Sequence, residues 1–253
     1  MHKLEVIDMF SAFLAILIIY FTVTAILDAR ILKLLTAVPI TEKARLTFYI
    51  RTIVFGWAST IVVMAMLLVA HINLAAVGLR WFAFDYNIWF TVLTLVLCGI
   101  LFILASYQII GYLVNPRYRA TLNEAIKGRF AGDKEKSQYG VITNFLIPRR
   151  KREKLVFFWV ALTAGIGEEF LLRGFLFLLL QAVFPNISII LVVIVSGVFF
   201  GLWHLYQGVH GMIKTAITGA LLGCLYIATG SLILPMLLHF ITDFSAAFAL
   251  SEE

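Results

Sequence analysis

Long apolar stretches dominate this chain, and they recur at lengths that match a lipid bilayer. They cover about 9–27, 52–72, 88–114, 155–184, 187–206, 212–228 and 232–249, and an α-helix needs roughly 20 residues to cross about 30 Å of hydrocarbon. The 253 residues are 62% hydrophobic with a mean hydropathy of +0.99. No soluble core absorbs that much apolar surface, so the excess faces lipid. None of the runs alternates in the manner of an outer-membrane barrel strand. The sequence therefore predicts an all-α, polytopic transmembrane helix bundle of seven or eight spans. The run 155–184 decides the number, because it is long for one span and carries Gly165 and Gly167, where a helix can break or restart.

Charge follows the same topology. Of the 20 Lys and Arg, five are expected in the first loop (Arg30, Lys33, Lys43, Arg45, Arg51) and eleven lie between Arg117 and Lys154, including Arg149-Arg150-Lys151-Arg152. The positive-inside rule makes both loops cytoplasmic, places the N-terminus outside and, with seven spans, the C-terminus inside. A net charge of +6 distributed this way fits anionic lipid headgroups and gives no role to nucleic acid. The first stretch is too long for the apolar core of a cleaved signal and lacks a small-x-small site, so it is expected to be a retained anchor. Cys98 and Cys224 fall inside spans as small apolar residues, and zinc-binding Cys pairs are absent.

The polar stretch 115–154 divides the chain into N-terminal helices (1–114), a cytoplasmic basic loop (115–154) and a C-terminal bundle (155–249). Within the loop, Tyr118 to Phe130 suits a short interfacial helix, and Gly132 to Lys136 reads as solvated turn. The spans before it hold almost nothing ionisable and are expected to serve as scaffold or lateral access. The spans after it carry Gly197-x-x-x-Gly201 and Gly219-x-x-x-Gly223, spacings that let helices approach closely.

The same C-terminal spans hold Glu168, Glu169, Arg173, His204, His239 and Asp243. A charge at a helix centre in the membrane costs roughly 2.5–3.5 kcal/mol, so such groups face the protein interior, pair with one another and mark function. Glu169 and Arg173 are four residues apart with the acid first, the favourable order for a helical ion pair. Glu168 then projects about 100° away without an intrahelical partner, as a reactive carboxylate should. His239 and Asp243 share one helix face, and His204 follows Phe200 on a neighbouring span.

Two chemistries fit these groups. In one, Glu168 and His204 activate water for attack on a peptide carbonyl while the His239 face stabilises the oxyanion. In the other, His204, His239 and a carboxylate, Glu168 or Asp243, hold a divalent metal such as zinc whose bound water attacks. An ionised Asp243 cannot donate to an oxyanion, so it must be protonated by burial or act as a ligand. The chain has no His-Glu-x-x-His and no Gly-x-Ser-Gly nucleophile. Gly165-Ile166-Gly167-Glu168 resembles the Gly-x-Gly-Asp aspartyl outline, but Glu replaces the Asp and no second intramembrane Asp precedes it.

Glu168-Glu169-Phe170-Leu171-Leu172-Arg173, then Phe200-Gly201-Leu202-Trp203-His204, then His239-Phe240-Ile241-Thr242-Asp243 resemble the motif set of the CPBP (CAAX-processing and bacteriocin-processing) family, in order. The resemblance covers about 155–249. It implies an intramembrane endopeptidase in which Glu168 and His204 activate water, His239 and Asp243 bind the oxyanion or assist, and Glu169 and Arg173, with Phe200, hold the site. It also implies a membrane-bound or prenylated polypeptide as substrate, with metal-dependent and metal-free descriptions both applying to the family. Asp243 stands where the CAAX-processing members typically have Asn. A non-enzymatic membrane immunity or partner protein on the same fold is the alternative, and a proton or ion relay through Glu168, His204 and Asp243 ranks last.

Two of these groups need a special arrangement to meet. Counting 1.5 Å per residue puts Glu168 well above the cytoplasmic face and His204 close to it. A helix restart at Gly165-Gly167, or a helix that begins below the membrane surface, is expected to bring them level.

Overall fold

The computed structural model describes residues 3–36, 41–84, 86–121, 124, 142 and 145–249. Helices α1 (Lys3–Thr36), α2 (Glu42–Val69) and α3 (Ile88–Val114) precede the polar stretch. After it, α4 (Lys151–Glu169) passes through a π-helical turn, Phe170–Phe175, directly into α5 (Leu176–Val183), and α6 (Ile189–Trp203), α7 (Gly208–Thr229) and α8 (Ile233–Ala249) follow. All regular structure among the described residues is helical, as the apolar runs predict. Many large apolar side chains of α1, α2 and α3 point outward, among them Ile19, Ile61 and Ile103. That is the surface a lipid solvent requires, and the chain is a multi-pass membrane protein.

Among the described residues five helical segments are long and apolar enough to span a bilayer: Asp8–Leu34, Glu42–Val69, Ile88–Val114, Lys151–Val183 and Leu205–Thr229. The two remaining apolar helices are shorter than the predicted spans 187–206 and 232–249. Ile189–Trp203 has 15 residues, about 22 Å at 1.5 Å per residue, short of a full crossing. Its chain reverses at once through Leu205–Gln207, and Gly208 with φ of 81° opens α7. Elsewhere the helices outrun the apolar stretches, so Arg30, Lys33, Lys43, Arg45 and Arg51 sit on the ends of α1 and α2 and not in a loop. Residues 116–121 are helical, starting from Asn115, whose Oδ1 accepts from Arg117 N and Tyr118 N. The rest of the proposed Tyr118–Phe130 helix, Glu124 apart, and the 132–136 turn lie outside the described residues.

No break occurs at Gly165 or Gly167. The helix runs from Lys151 through both, and each glycine serves a crossing instead. A Cβ on Gly165 would lie 2.9 Å from Phe240 N of α8, and one on Gly167 would lie 2.8 Å from Thr60 Oγ1 of α2. The irregularity comes a turn later. At Phe170–Phe175 the Leu176 N–H reaches back five residues to Leu171 O, and Ser196 Oγ of α6 donates to Leu172 O at 3.2 Å. Such a turn inserts one extra residue into the helix and leaves a carbonyl in need of a donor. Phe170, Leu171, Leu172, Phe175 and Leu176 are all buried there, in the main core between α1, α6 and α7.

The Gly197–Gly201 pair allows the close helix approach that its spacing predicts, whereas Gly219 and Gly223 face the side chains of Arg173, Phe200, Phe177 and Val193. A Cβ on Gly197 would meet Ala216 O at 2.8 Å, and one on Gly201 would meet Met212 O at 2.6 Å, so α6 and α7 lie nearly backbone to backbone. Cys98 packs with Leu222, Leu225 and Leu238, and Cys224 against the main core; both are free thiols. At one end of the bundle the connection after α2 clamps the α7–α8 turn: Leu232 N donates to Gly78 O and Arg80 Nε to Gly230 O. At the other end Glu153 of α4, fully buried, accepts from Arg45 Nε of α2 at 2.9 Å and from the backbone N–H groups of Arg149 and Arg150.

Candidate active site

Glu169 anchors the polar cluster. Its Oε1 accepts from Arg173 Nη1 at 2.9 Å and pairs with His239 Nδ1 at 2.8 Å, so α4, the π turn and α8 are tied at one atom. Arg173 also donates from Nη2 to Gly219 O of α7 at 2.7 Å, and its guanidinium lies 4.8 Å from the centre of the Phe200 ring. The absence of a side chain on Gly219 makes that contact: a Cβ there would be 2.8 Å from Arg173 Nη2. Glu169 and Arg173 are wholly buried. The spacing of these two residues predicts their ion pair, while the share of Glu169 taken by His239 has no local signal in the sequence.

Phe200 sets the two imidazoles. Its ring meets His204 edge-on at 4.6 Å and His239 at 5.5 Å. His204 sits where α6 ends, with Nδ1 2.8 Å from Phe200 O. A carbonyl only accepts, so Nδ1 carries the proton and Nε2 is left with its lone pair. In His239, Nδ1 faces Glu169, while Nε2 lies 3.4 Å from Asp243 Oδ2 and 3.9 Å from Glu168 Oε2. That last separation exceeds a direct hydrogen bond and suits a bridging water.

Glu168 Oε2 is buried and has no hydrogen-bond partner among the described residues. An unsatisfied carboxylate oxygen is costly in a low-dielectric interior and marks a place where a further polar group belongs. It borders a cavity of about 440 Å³ that Glu168, His204 and Asp243 line together. The expected mismatch in depth is thus met without a restart in α4: α6 is short and the chain turns back at His204, carrying its ring into the same cavity as Glu168.

The N-terminal helices do more than frame this space. Tyr20, Asp28, Arg51 and Ser59 of α1 and α2 line the cavity, as do Trp203 and Tyr206 beside His204. Asp28 and Arg51 form an ion pair at 2.9 Å across α1 and α2. From sequence Arg51 counts only among the basic residues of the first loop and Asp28 has no role, because both flank the apolar runs and match no motif.

Among the described residues no three His, Cys, Asp or Glu side chains stand together as a group that could hold a metal ion. Phe200 O and Glu169 engage the Nδ1 atoms of the two imidazoles and leave both Nε2 atoms for other partners.

Residues 151–245 match the family model described as type II CAAX prenyl endopeptidase Rce1-like. This segment is similar to the CAAX prenyl endopeptidases over those residues. The family match spans α4 to α8 and contains every member of the polar cluster; the cavity wall from α1 and α2 lies outside it. No curated protein and no solved structure matches the chain.

Proposed function

We propose that the protein is an intramembrane endopeptidase that hydrolyses a peptide bond of a membrane-associated or prenylated polypeptide. The unpartnered Glu168 carboxylate, buried on the wall of a cavity it shares with His204 and Asp243, carries this reading. Glu168 takes a proton from water as the water oxygen bonds to the scissile carbonyl carbon, and His204, through Nε2, orients that water. His239, protonated at both ring nitrogens, donates from Nε2 to the developing oxyanion and from Nδ1 to Glu169 Oε1, an oxygen that Arg173 also engages. Collapse of the tetrahedral species breaks the C–N bond, and the proton passes from Glu168 to the leaving nitrogen. Asp243, 3.4 Å from His239 Nε2, orients the ring and needs no donor role of its own.

The three-part division of the chain, with 155–249 as the catalytic bundle, follows from this assignment. Leu32, Leu146 and Ile147 line the cavity beside the Arg149–Arg152 cluster. With the basic segments cytoplasmic and the N-terminus outside, the cavity opens toward the cytoplasmic side, where prenylated polypeptides are available. The test is cleavage of a prenylated peptide by the purified protein in liposomes. Product formation by the wild type and its loss in Glu168→Gln support the reading; an unchanged product pattern in Glu168→Gln removes Glu168 from it.

A further inference from the structure

The cavity contains one Lys or Arg side chain, Arg51, among the residues that line it. Its guanidinium is held from two sides. Nη1 donates to Asp28 Oδ1 at 2.9 Å, and the group stands 5.3 Å from the centre of the Phe55 ring, one helical turn further along α2. A guanidinium has five N–H donors in a planar fork. Only Nη1 is used within the protein among the described residues, and the Arg51 side chain remains 27% exposed. A cation fixed in this way, with the rest of its fork turned to a cavity, suits bidentate pairing with a carboxylate.

We infer that Arg51 is a specificity-determining residue that binds the C-terminal carboxylate of the polypeptide substrate, an assignment that rests on the peptidase reading above. Helix geometry gives the spacing. Gly167, next to Glu168, packs against Thr60 and Gly56 of α2, and Arg51 lies five to nine residues before them. At 1.5 Å per residue this places Arg51 about 8–14 Å from the level of Glu168, toward the basic end of the bundle. An extended peptide advances about 3.3–3.6 Å per residue. Glu168 acting on the carbonyl and Arg51 holding the chain end therefore measure a released piece of about two to four residues. Arg51, Phe55 and Ser59 stand four residues apart on one face of α2 and line the cavity together, so the leaving segment lies along that face. Asp28 keeps the guanidinium oriented when the site holds no substrate.

The experiment compares two prenylated peptides in liposomes, identical except that one ends in a free carboxylate and the other in a carboxamide. Wild type is expected to show a KM for the acid about tenfold or more below that for the amide, the scale of a charge-assisted hydrogen-bonded pair. Arg51→Met should bring the ratio of the two KM values to about one, and Arg51→Lys, which keeps charge and loses the fork, should fall between. A purely structural role for the Asp28–Arg51 pair would change both peptides alike and leave the ratio standing, which overturns the inference. So does a wild type that cleaves acid and amide equally, a result that needs no variant and leaves the peptidase reading intact. Cleavage of neither peptide by wild type overturns the peptidase reading itself and this inference with it.

Discussion

Glu169 and His239, 70 residues apart in sequence, meet through Glu169 Oε1 and His239 Nδ1 at 2.8 Å, and Arg173 shares the same oxygen. The contact fixes which edge of the imidazole turns to Asp243 and Glu168. It also divides the adjacent glutamates by environment. Glu169 carries Arg173 and His239 on Oε1, with its Oε2 buried and without a hydrogen-bond partner, whereas Glu168 has no ion-pair partner closer than 3.9 Å and lines the cavity.

That division predicts different outcomes for two similar substitutions. Glu168→Gln keeps shape and packing, so the melting temperature in detergent should stay within a few degrees, while the cleavage rate should fall by about 10²–10⁴-fold, the usual contribution of a general base. Glu169→Gln should lower stability as well, because Arg173 loses its buried counter-charge. Measuring rate and thermal unfolding for both variants checks the assignment, and equal loss of stability in the two would contradict it.

Arg173→Met removes one partner of a wholly buried pair. The remaining Glu169 carboxylate would keep only His239, and breaking a buried ion pair from one side typically costs about 3–5 kcal/mol. The expected result is a protein that unfolds or aggregates at lower temperature. A Glu169→Gln/Arg173→Met double variant should regain part of that loss, since no charge is left stranded. A double variant no more stable than Arg173→Met would show that the pair is not what holds α4 to α7.

The local part of this site was legible in the sequence, and the non-local part was not. Glu169 with Arg173 and His239 with Asp243 lie four residues apart, and a helix puts such residues on one face whatever surrounds them. The apolar runs located the helices for the same reason, since length and composition suffice in a bilayer. The Glu169–His239 contact depends on how α4 crosses α8, and no spacing within either helix encodes it. Gly165 and Gly167 show the ambiguity of a missing side chain: the same residue suits a break or a close crossing, and here the backbones of α8 and the Thr60 side chain of α2 occupy the space. The π turn at Phe170–Phe175 carries no pattern that separates it from an α-helix, since its Arg173 is spaced from Glu169 as an ordinary helical pair. Asp28 carries no signal in the sequence and Arg51 only a topological one, because a charge at the end of an apolar run is ordinary at a membrane surface, and both line the cavity in the fold.

Phe200 separates the two imidazoles and lies under Arg173. Phe200→Ala should therefore cost stability, about 3–5 kcal/mol for emptying a buried ring site, and should also free both rings to change rotamer. Phe200→Leu fills most of the volume without the ring faces and edges. The leucine variant should recover most of the stability while its turnover stays below wild type, measured as kcat at saturating peptide. Full recovery of both would reduce Phe200 to a space-filler.

The α6–α7 crossing positions His204, so it offers a test that touches no polar group. A Cβ on Gly201 would lie 2.6 Å from Met212 O and 2.7 Å from Ala216 Cβ, and backbone atoms on a packed helix cannot give way as a flexible side chain can. Gly201→Ala must push α6 from α7 at the turn that carries His204 three residues later, shifting the imidazole relative to Glu168. Displacements of about 1 Å at a catalytic group cost on the order of 10²-fold in rate, so turnover should fall together with thermal stability. Gly99 on α3 is the matched control, because a Cβ there meets nothing within 4 Å. Gly99→Ala should leave turnover unchanged and, by replacing glycine within a helix, raise stability slightly, by about 0.5–1 kcal/mol. Equal activity of the two alanine variants in the peptide-cleavage assay would mean that the close approach of α6 and α7 does not set the position of His204.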